Sequence, residues 1–159
     1  MQGRYDRTTD TVIPFARTEI LRRRMNRGEV APFVKRTDNA EFPFAEIDVN
    51  FSLGNTPNDG AELLREMVRT AKAYDGKIKM NTLTPETFFL HLVMHQYKES
   101  CLHFTVERGK DLDVYKLADI FYLLKTGAVQ MPLILEKASD FGVVDRLGTV
   151  LRQVGEIFE

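Results

Sequence analysis

The chain has little with which to staple itself or to cross a membrane. It holds one cysteine, Cys101, in 159 residues, so no internal disulfide can form. A packed core must carry the stability instead, and a reducing, cytoplasmic setting is expected. Tryptophan is absent. The best candidate for a membrane span, Phe88 to Met94, is interrupted by His91 and falls well short of the ~18–20 apolar residues required. No apolar stretch follows the charges of the first six residues, so a secretory leader is not expected. A large excess of either charge is missing too: the formal net charge is −1. Nothing resembles the strongly basic stripe of a dedicated nucleic-acid binder.

What is present describes a globular domain. A hydrophobic fraction of 43% with 28% charged residues excludes wholesale disorder, collagen and coiled-coil rods. The length suits one domain over residues 1–159, large enough to bury roughly 70% of its unfolded surface. Charge is unevenly placed along it. Residues 1–36 carry nine Lys or Arg against four acids, a local +5, and the remainder is acidic. Such asymmetry fits a phosphate-bearing partner or simply a solvated helix face.

The patterning changes near residue 84. Before it, extended and helical segments alternate. Thr18 to Arg27 reads as a short helix stopped by Gly28, and Val30 to Lys35, which contains Pro32, as an edge strand or connector. Phe42 to Leu53 is the clearest strand, closed by the turn residues 54–60. Ala61 to Tyr74 reads as an amphipathic helix and Lys77 to Leu83 as a second alternating strand. From Thr84 onward the pattern is helical: a helix to about Ser100, another over Asp111 to Lys125, a third from Pro132 to Asp140 and a last from Val144 to Phe158. The expected fold is α+β, with a small, incomplete mixed sheet in residues 1–83 packed against a helical bundle in 84–159.

Period-two geometry puts Glu46, Asp48 and Asn50 on one face of the clearest strand, and Ile47, Val49 and Phe51 on the other. Two carboxylates on one face can hold a divalent ion or act as a general base. The wet side of an antiparallel sheet shows the same alternation. Arg23 and Arg27 share a helix face and could clamp a triphosphate, or could be solvated surface.

Residues 46–53 followed by Leu83-Thr84-Pro85-Glu86 and the helix through His91, His95 and Lys98 resemble the uncharacterised nucleotidyltransferase family of the polymerase-beta-like superfamily. Residues 112–124 and 133–141 are similar to its later helices, so the likeness covers roughly 40–158. The resemblance implies that Asp48, with Glu46 beside it, is a metal-binding carboxylate for Mg²⁺ and a nucleoside triphosphate. On that reading the basic residues near Arg23 and Arg27, which lie outside the stretch of likeness, would neutralise phosphate. The family's Gly-Ser turn and Asp-x-Asp pair have no counterpart upstream of Asp48. Two of the three metal carboxylates of a two-ion phosphoryl-transfer site are therefore not identifiable, and catalysis by this chain alone is not expected. The alternative is a non-enzymatic module that docks a protein or peptide partner, or another copy of itself, on an open strand edge.

The remaining polar groups read plainly. His91 and His95 stand one turn apart, but Leu92 replaces the glutamate of a His-Glu-x-x-His protease. A structural role at a helix interface is the simpler reading than a metal site. Cys101 lacks the setting of a nucleophile. Asp113, Lys116 and Asp119 look like an ion-pair row on one helix, unless Asp119 faces a cleft.

Overall fold

The computed structural model describes residues 1–27, 29–56, 58–107, 109 and 111–158, and the side chains of all of these except 26, 27, 29 and 104. It is α+β, and it forms two compact units, Met1–Asp59 and Gly60–Glu159. Among the described residues no helix is long and apolar enough to cross a membrane.

The first unit is two antiparallel hairpins joined by a helix. Strand β1 (Gly3–Asp6) pairs with β2 (Thr11–Pro14), placing Tyr5 opposite Val12. After helix α1 (Arg17–Arg27), β3 (Glu29–Arg36) pairs with β4 (Phe44–Asn50), with Phe33 opposite Ile47 and Val34 opposite Glu46. The hairpins meet where Gln2 bridges Phe33 in antiparallel fashion. There the Val34 N–H donates to Met1 O at 2.8 Å and Met1 N donates to Val34 O at 3.1 Å. The two hairpins remain separate two-stranded pairs, β1–β2 and β3–β4, and this junction joins residues 1 and 2 to the side of β3 away from β4. Gly3 is needed at the crowded β1–β2 seam, where an added Cβ would run into the Ile13 carbonyl oxygen.

Neither β1 nor β2 was expected from the sequence, and both are only four residues long. Pro32 pointed to an edge strand or connector, and β3 is one strand of a two-stranded pair, bonded on its other side at Met1 and bridged there by Gln2. The register between β3 and β4 shifts between Val30 and Phe33, so Ala31 and Pro32 together face Asp48. A proline is tolerated in such a bulge because its missing N–H has no ladder partner to serve.

The second unit is helical. Helix α2 (Ala61–Thr70) leads to the short pair β5 (Lys72–Ala73) and β6 (Asn81–Thr82), then to α3 (Pro85–Cys101), the single turn α4 (His103–Val106), α5 (Val114–Lys125), α6 (Met131–Asp140) and α7 (Val144–Phe158). Thr84 caps α3 by accepting from the Thr87 N–H at 3.4 Å, and Asp113 caps α5 by accepting from Tyr115 N–H at 3.1 Å. Gly127 and Gly142, at φ 67° and 65°, provide the left-handed stops after α5 and α6.

Helix α3 packs against α5, α6 and α7. Its Phe89, Leu90, Val93 and Met94 are buried with Leu117 and Ile120 of α5, Ile134 of α6, and Leu147 and Val150 of α7. Gln96 is the polar member of that interior, and its Nε2 donates to Asp111 O at 2.8 Å, tying α3 to the segment before α5. Two expected spans are shorter than their patterns. Helix α2 stops at Thr70 because Ala71 turns extended (ψ 137°) and Lys72 pairs with Thr82. The strand expected over 77–83 is paired only at Asn81–Thr82.

The two units differ in how they bury apolar side chains. The first buries Ala31, Val34 and Leu53, whereas Phe33, Ile47 and Val49 stay 45%, 62% and 42% exposed. Phe89→Ala should therefore lower stability by about 3–5 kcal/mol through cavity formation. Ile47→Ala should change it by no more than about 0.5 kcal/mol, as a surface substitution does. Urea unfolding followed by far-UV circular dichroism checks the contrast.

Candidate functional site

Strand β4 carries the two carboxylates singled out by the sequence. Glu46 and Asp48 are exposed and share a face, as the alternation requires. Glu46 lies opposite Val34, and Asp48 opposite the bulge at Ala31 and Pro32. Neither position of β3 supplies a third oxygen ligand. Among the described residues, no group of three or more His, Cys, Asp or Glu is gathered where it could hold a metal ion. A hard ion such as Mg²⁺ is usually held by carboxylates together with substrate phosphates in octahedral geometry. Two solvated carboxylates on a twisted strand do not fit the two-ion centre that nucleotidyl transfer uses.

The expected phosphate clamp is also differently engaged. Arg23 donates to Glu19 at 3.4 Å, and its guanidinium lies 4.9 Å from the centre of the Phe15 ring. The i, i+4 pair and the aromatic ring hold it against its own helix. The side chain of Arg27 lies outside the described residues.

The backbone of β4 is more informative than its side chains. The Thr37 N–H donates to Pro43 O at 2.9 Å and closes the β3–β4 hairpin. In an antiparallel ladder, hydrogen-bonded pairs alternate with non-bonded ones. The bonded pairs are then Lys35 with Ala45 and Phe33 with Ile47, while Arg36–Phe44 and Val34–Glu46 are skipped. The bonds of Val34 to Met1 agree, because they direct its N–H and C=O away from β4. Phe44 and Glu46 consequently turn their own N–H and C=O outward, and the alternation extends this to Asp48. Among the described residues no strand pairs with that side of β4. The result is an open edge with acidic side chains on one face and exposed Ile47 and Val49 on the other.

A second feature was not legible in the sequence. Asp10 has a positive φ of 51°. Its carboxylate accepts from the Tyr5 hydroxyl and from the Arg36 guanidinium, so the β1–β2 turn is clasped to the end of the β3–β4 hairpin. The bond to Asp10 is the main reason the Tyr5 hydroxyl titrates above its ordinary value. Tyr5 also stacks on Phe44 at 4.4 Å. Beside this stack an open cleft of about 530 Å³ is lined by Tyr5, Arg7, Glu41, Phe42, Pro43 and Phe44. A second, of about 720 Å³, lies between Asp10, Arg36 and the hairpin loop 37–40. Glu46 and Asp48 line neither. The clasp brings together residues 26 apart in sequence, and no local pattern announces it.

In the helical unit His91 and His95 lie side by side on α3. Their rings lie 6.2 Å apart at 19°, stacked along α3. His95 Nε2 lies 3.4 Å from Glu99, which also accepts from Lys116 of α5. Lys116 is in turn 3.5 Å from Asp113. Of the row expected on one helix, the Asp113–Lys116 pair is present and is extended to Glu99 of α3, while Asp113 also serves as the cap and Asp119 is exposed. Cys101 ends α3 and is exposed; His103 turns to Glu107 at 3.4 Å rather than toward it.

Comparison with known proteins adds no relative: no family model, curated protein or solved structure matches the chain.

Burial lowers the pKa of His91, and burial followed by the Lys116 charge lowers that of His95. Each is below its unfolded value of about 6.5 in the folded state, so the folded chain binds fewer protons. The stabilisation is present above that value and is lost as pH falls through it toward the depressed folded value. The melting temperature should drop between about pH 7 and pH 5, and His91→Gln with His95→Gln should flatten the drop. Thermal melts across that range check it; an unchanged slope in the double variant would contradict the assignment.

Proposed function

We propose that the chain is a binding module that accepts an extended segment of a protein partner as an added strand along β4. One observation carries the reading: Glu46 is opposite Val34 in a non-bonded pair, so the backbone of β4 offers a row of donors and acceptors to an incoming strand. Main-chain bonds give such a contact its affinity, and alternate side chains give it specificity.

The side chains of β4 define the partner. Residues opposite Glu46 and Asp48 would carry positive charge, and the residue between them would be apolar, to lie against Ile47. The matching ligand is a basic–apolar–basic segment. Phe33 and Val49 extend the apolar row on the same face of the sheet.

A fluorescein-labelled peptide with three Lys-Val repeats tests this by anisotropy. Saturable binding is expected, weakening as salt is raised. Glu46→Lys with Asp48→Lys should weaken it about tenfold or more, because like charges then face one another across the contact. A peptide with three Glu-Val repeats should not bind. Equal binding of both peptides, or of neither, would overturn the reading.

The nucleotidyltransferase-like reading stands second, favoured by the shared, solvent-open face of Glu46 and Asp48. Calorimetric titration with Mg²⁺-ATP separates the two. Heat of dilution alone is expected; saturable binding lost in Asp48→Ala would put the second reading first.

A further inference from the structure

Period two puts Phe44 on the face of β4 that carries Glu46 and Asp48. Like Glu46 it stands in a skipped pair, opposite Arg36, so its N–H and C=O also turn outward. The three residues share a face and an open row of backbone groups, yet they differ in chemistry. Glu46 and Asp48 are carboxylates in solvent, whereas the Phe44 ring stacks on Tyr5 at 4.4 Å, beside the open cleft of about 530 Å³. Phe42 lines that cleft too and is 67% exposed, an aromatic ring left mostly in solvent. Arg7 and Glu41 also line it, one charge of each sign, so the cleft favours neither a cation nor an anion. Concave sites of this make-up, with aromatic walls and a few polar groups, are the usual receptors of apolar ligand groups.

We infer that this cleft takes a neutral aromatic side chain from the protein segment that adds to β4. The inference rests on the strand-addition reading and extends the ligand from a pair of basic residues to that pair and an aromatic anchor. A segment whose basic residues lie opposite Asp48 and Glu46 carries its next same-face residue opposite Phe44, the ring that walls the cleft. Residues directly opposite one another have Cβ atoms about 5 Å apart, well within reach of a ring. An aromatic side chain in that place meets Phe44 and, beyond it, Tyr5 and Phe42, and ring pairs stabilise a contact beyond the area they bury. A small side chain there would leave the same rings in water. The segment runs antiparallel to β4, the pairing that is more stable per residue, so its order is basic-x-basic-x-aromatic from the Asn50 end to the Phe44 end.

Fluorescein-labelled peptides of two orders test the placement by anisotropy. Lys-Val-Lys-Val-Phe-Val should bind about fivefold or more tightly than Lys-Val-Lys-Val-Ala-Val. The reversed order, Phe-Val-Lys-Val-Lys-Val, should gain nothing over Ala-Val-Lys-Val-Lys-Val, because its ring then falls opposite Asn50 rather than Phe44. Phe42→Ala should bring the first peptide down toward its alanine counterpart; the replaced side chain is exposed, and unchanged far-UV circular dichroism verifies folding. Equal affinity of the phenylalanine and alanine peptides overturns the inference, as does a gain in the reversed order or a gain that survives Phe42→Ala undiminished. Strand addition is judged separately by the peptide of three Lys-Val repeats. If that peptide binds while the ring adds nothing, strand addition stands and only the occupant of the cleft fails; if it does not bind, both fail.

Discussion

The pairing of Val34 with Met1 is the constraint from which the character of β4 follows. A residue in an antiparallel sheet directs its N–H and C=O to one side only. Val34 gives both to Met1, at 2.8 and 3.1 Å, so it has none for Glu46 directly across from it. Glu46 must then present its own groups outward. Had the β1–β2 hairpin docked one residue out of register, every side chain of its strand would change face and Tyr5 could not stack on Phe44. The clasp of Asp10 by Tyr5 and Arg36 joins the β1–β2 turn to β3 two residues beyond Val34. The side of β3 away from β4 is thus engaged at Val34, and among the described residues no strand pairs with the far side of β4.

Much of the helical half was legible in the sequence because its signals are local. Thr84-Pro85 opens α3, Asp113 caps α5, and Gly127 and Gly142 stop α5 and α6. Caps and left-handed glycines act within one turn, so the chain announces them at the residues concerned. The alternation of residues 44–50 was equally local, and β4 is where it was expected. The sheet order was not. Strands of four residues, such as β1 and β2, contain too little alternation to register, and the bonds that join this hairpin to β3 link residues 33 positions apart. Pro32 announced an edge strand, and β3 stands in a two-stranded pair, but the bulge that seats the proline was not announced. A proline argues against a central strand unless a bulge receives it, and the bulge is a property of the pair, not of β3 alone.

The candidate site divides along the same line. That Glu46 and Asp48 share a face follows from period two. Whether a third ligand joins them depends on what lies across the strand, and there the apolar Val34 and the bulge stand instead. Arg23 was legible as a helix-face cation, but Phe15, over whose ring its guanidinium lies, is placed by the turn into α1. Glu99 gathers His95 and Lys116 because α3 and α5 pack together, a fact of tertiary structure that extends the Asp113–Lys116 pair into an interhelical tie. In each case the residue type was visible and its partner was not.

An open strand with exposed Ile47 and Val49 invites indiscriminate pairing, and sheets commonly guard such edges with charge. On β4 the guard is selective. Any strand that lies along it must place side chains beside Glu46 and Asp48, two residues apart on the same face, and an acidic or self-complementary strand meets repulsion there. A strand with lysines at the same spacing meets attraction. On the strand-addition reading proposed above, the carboxylates that period-two geometry offers as metal ligands have a simpler physical use: they oppose pairing of β4 with its own copy while leaving its outward N–H and C=O groups available to a basic segment. That use needs no third ligand and no burial, and it is consistent with both carboxylates remaining in solvent.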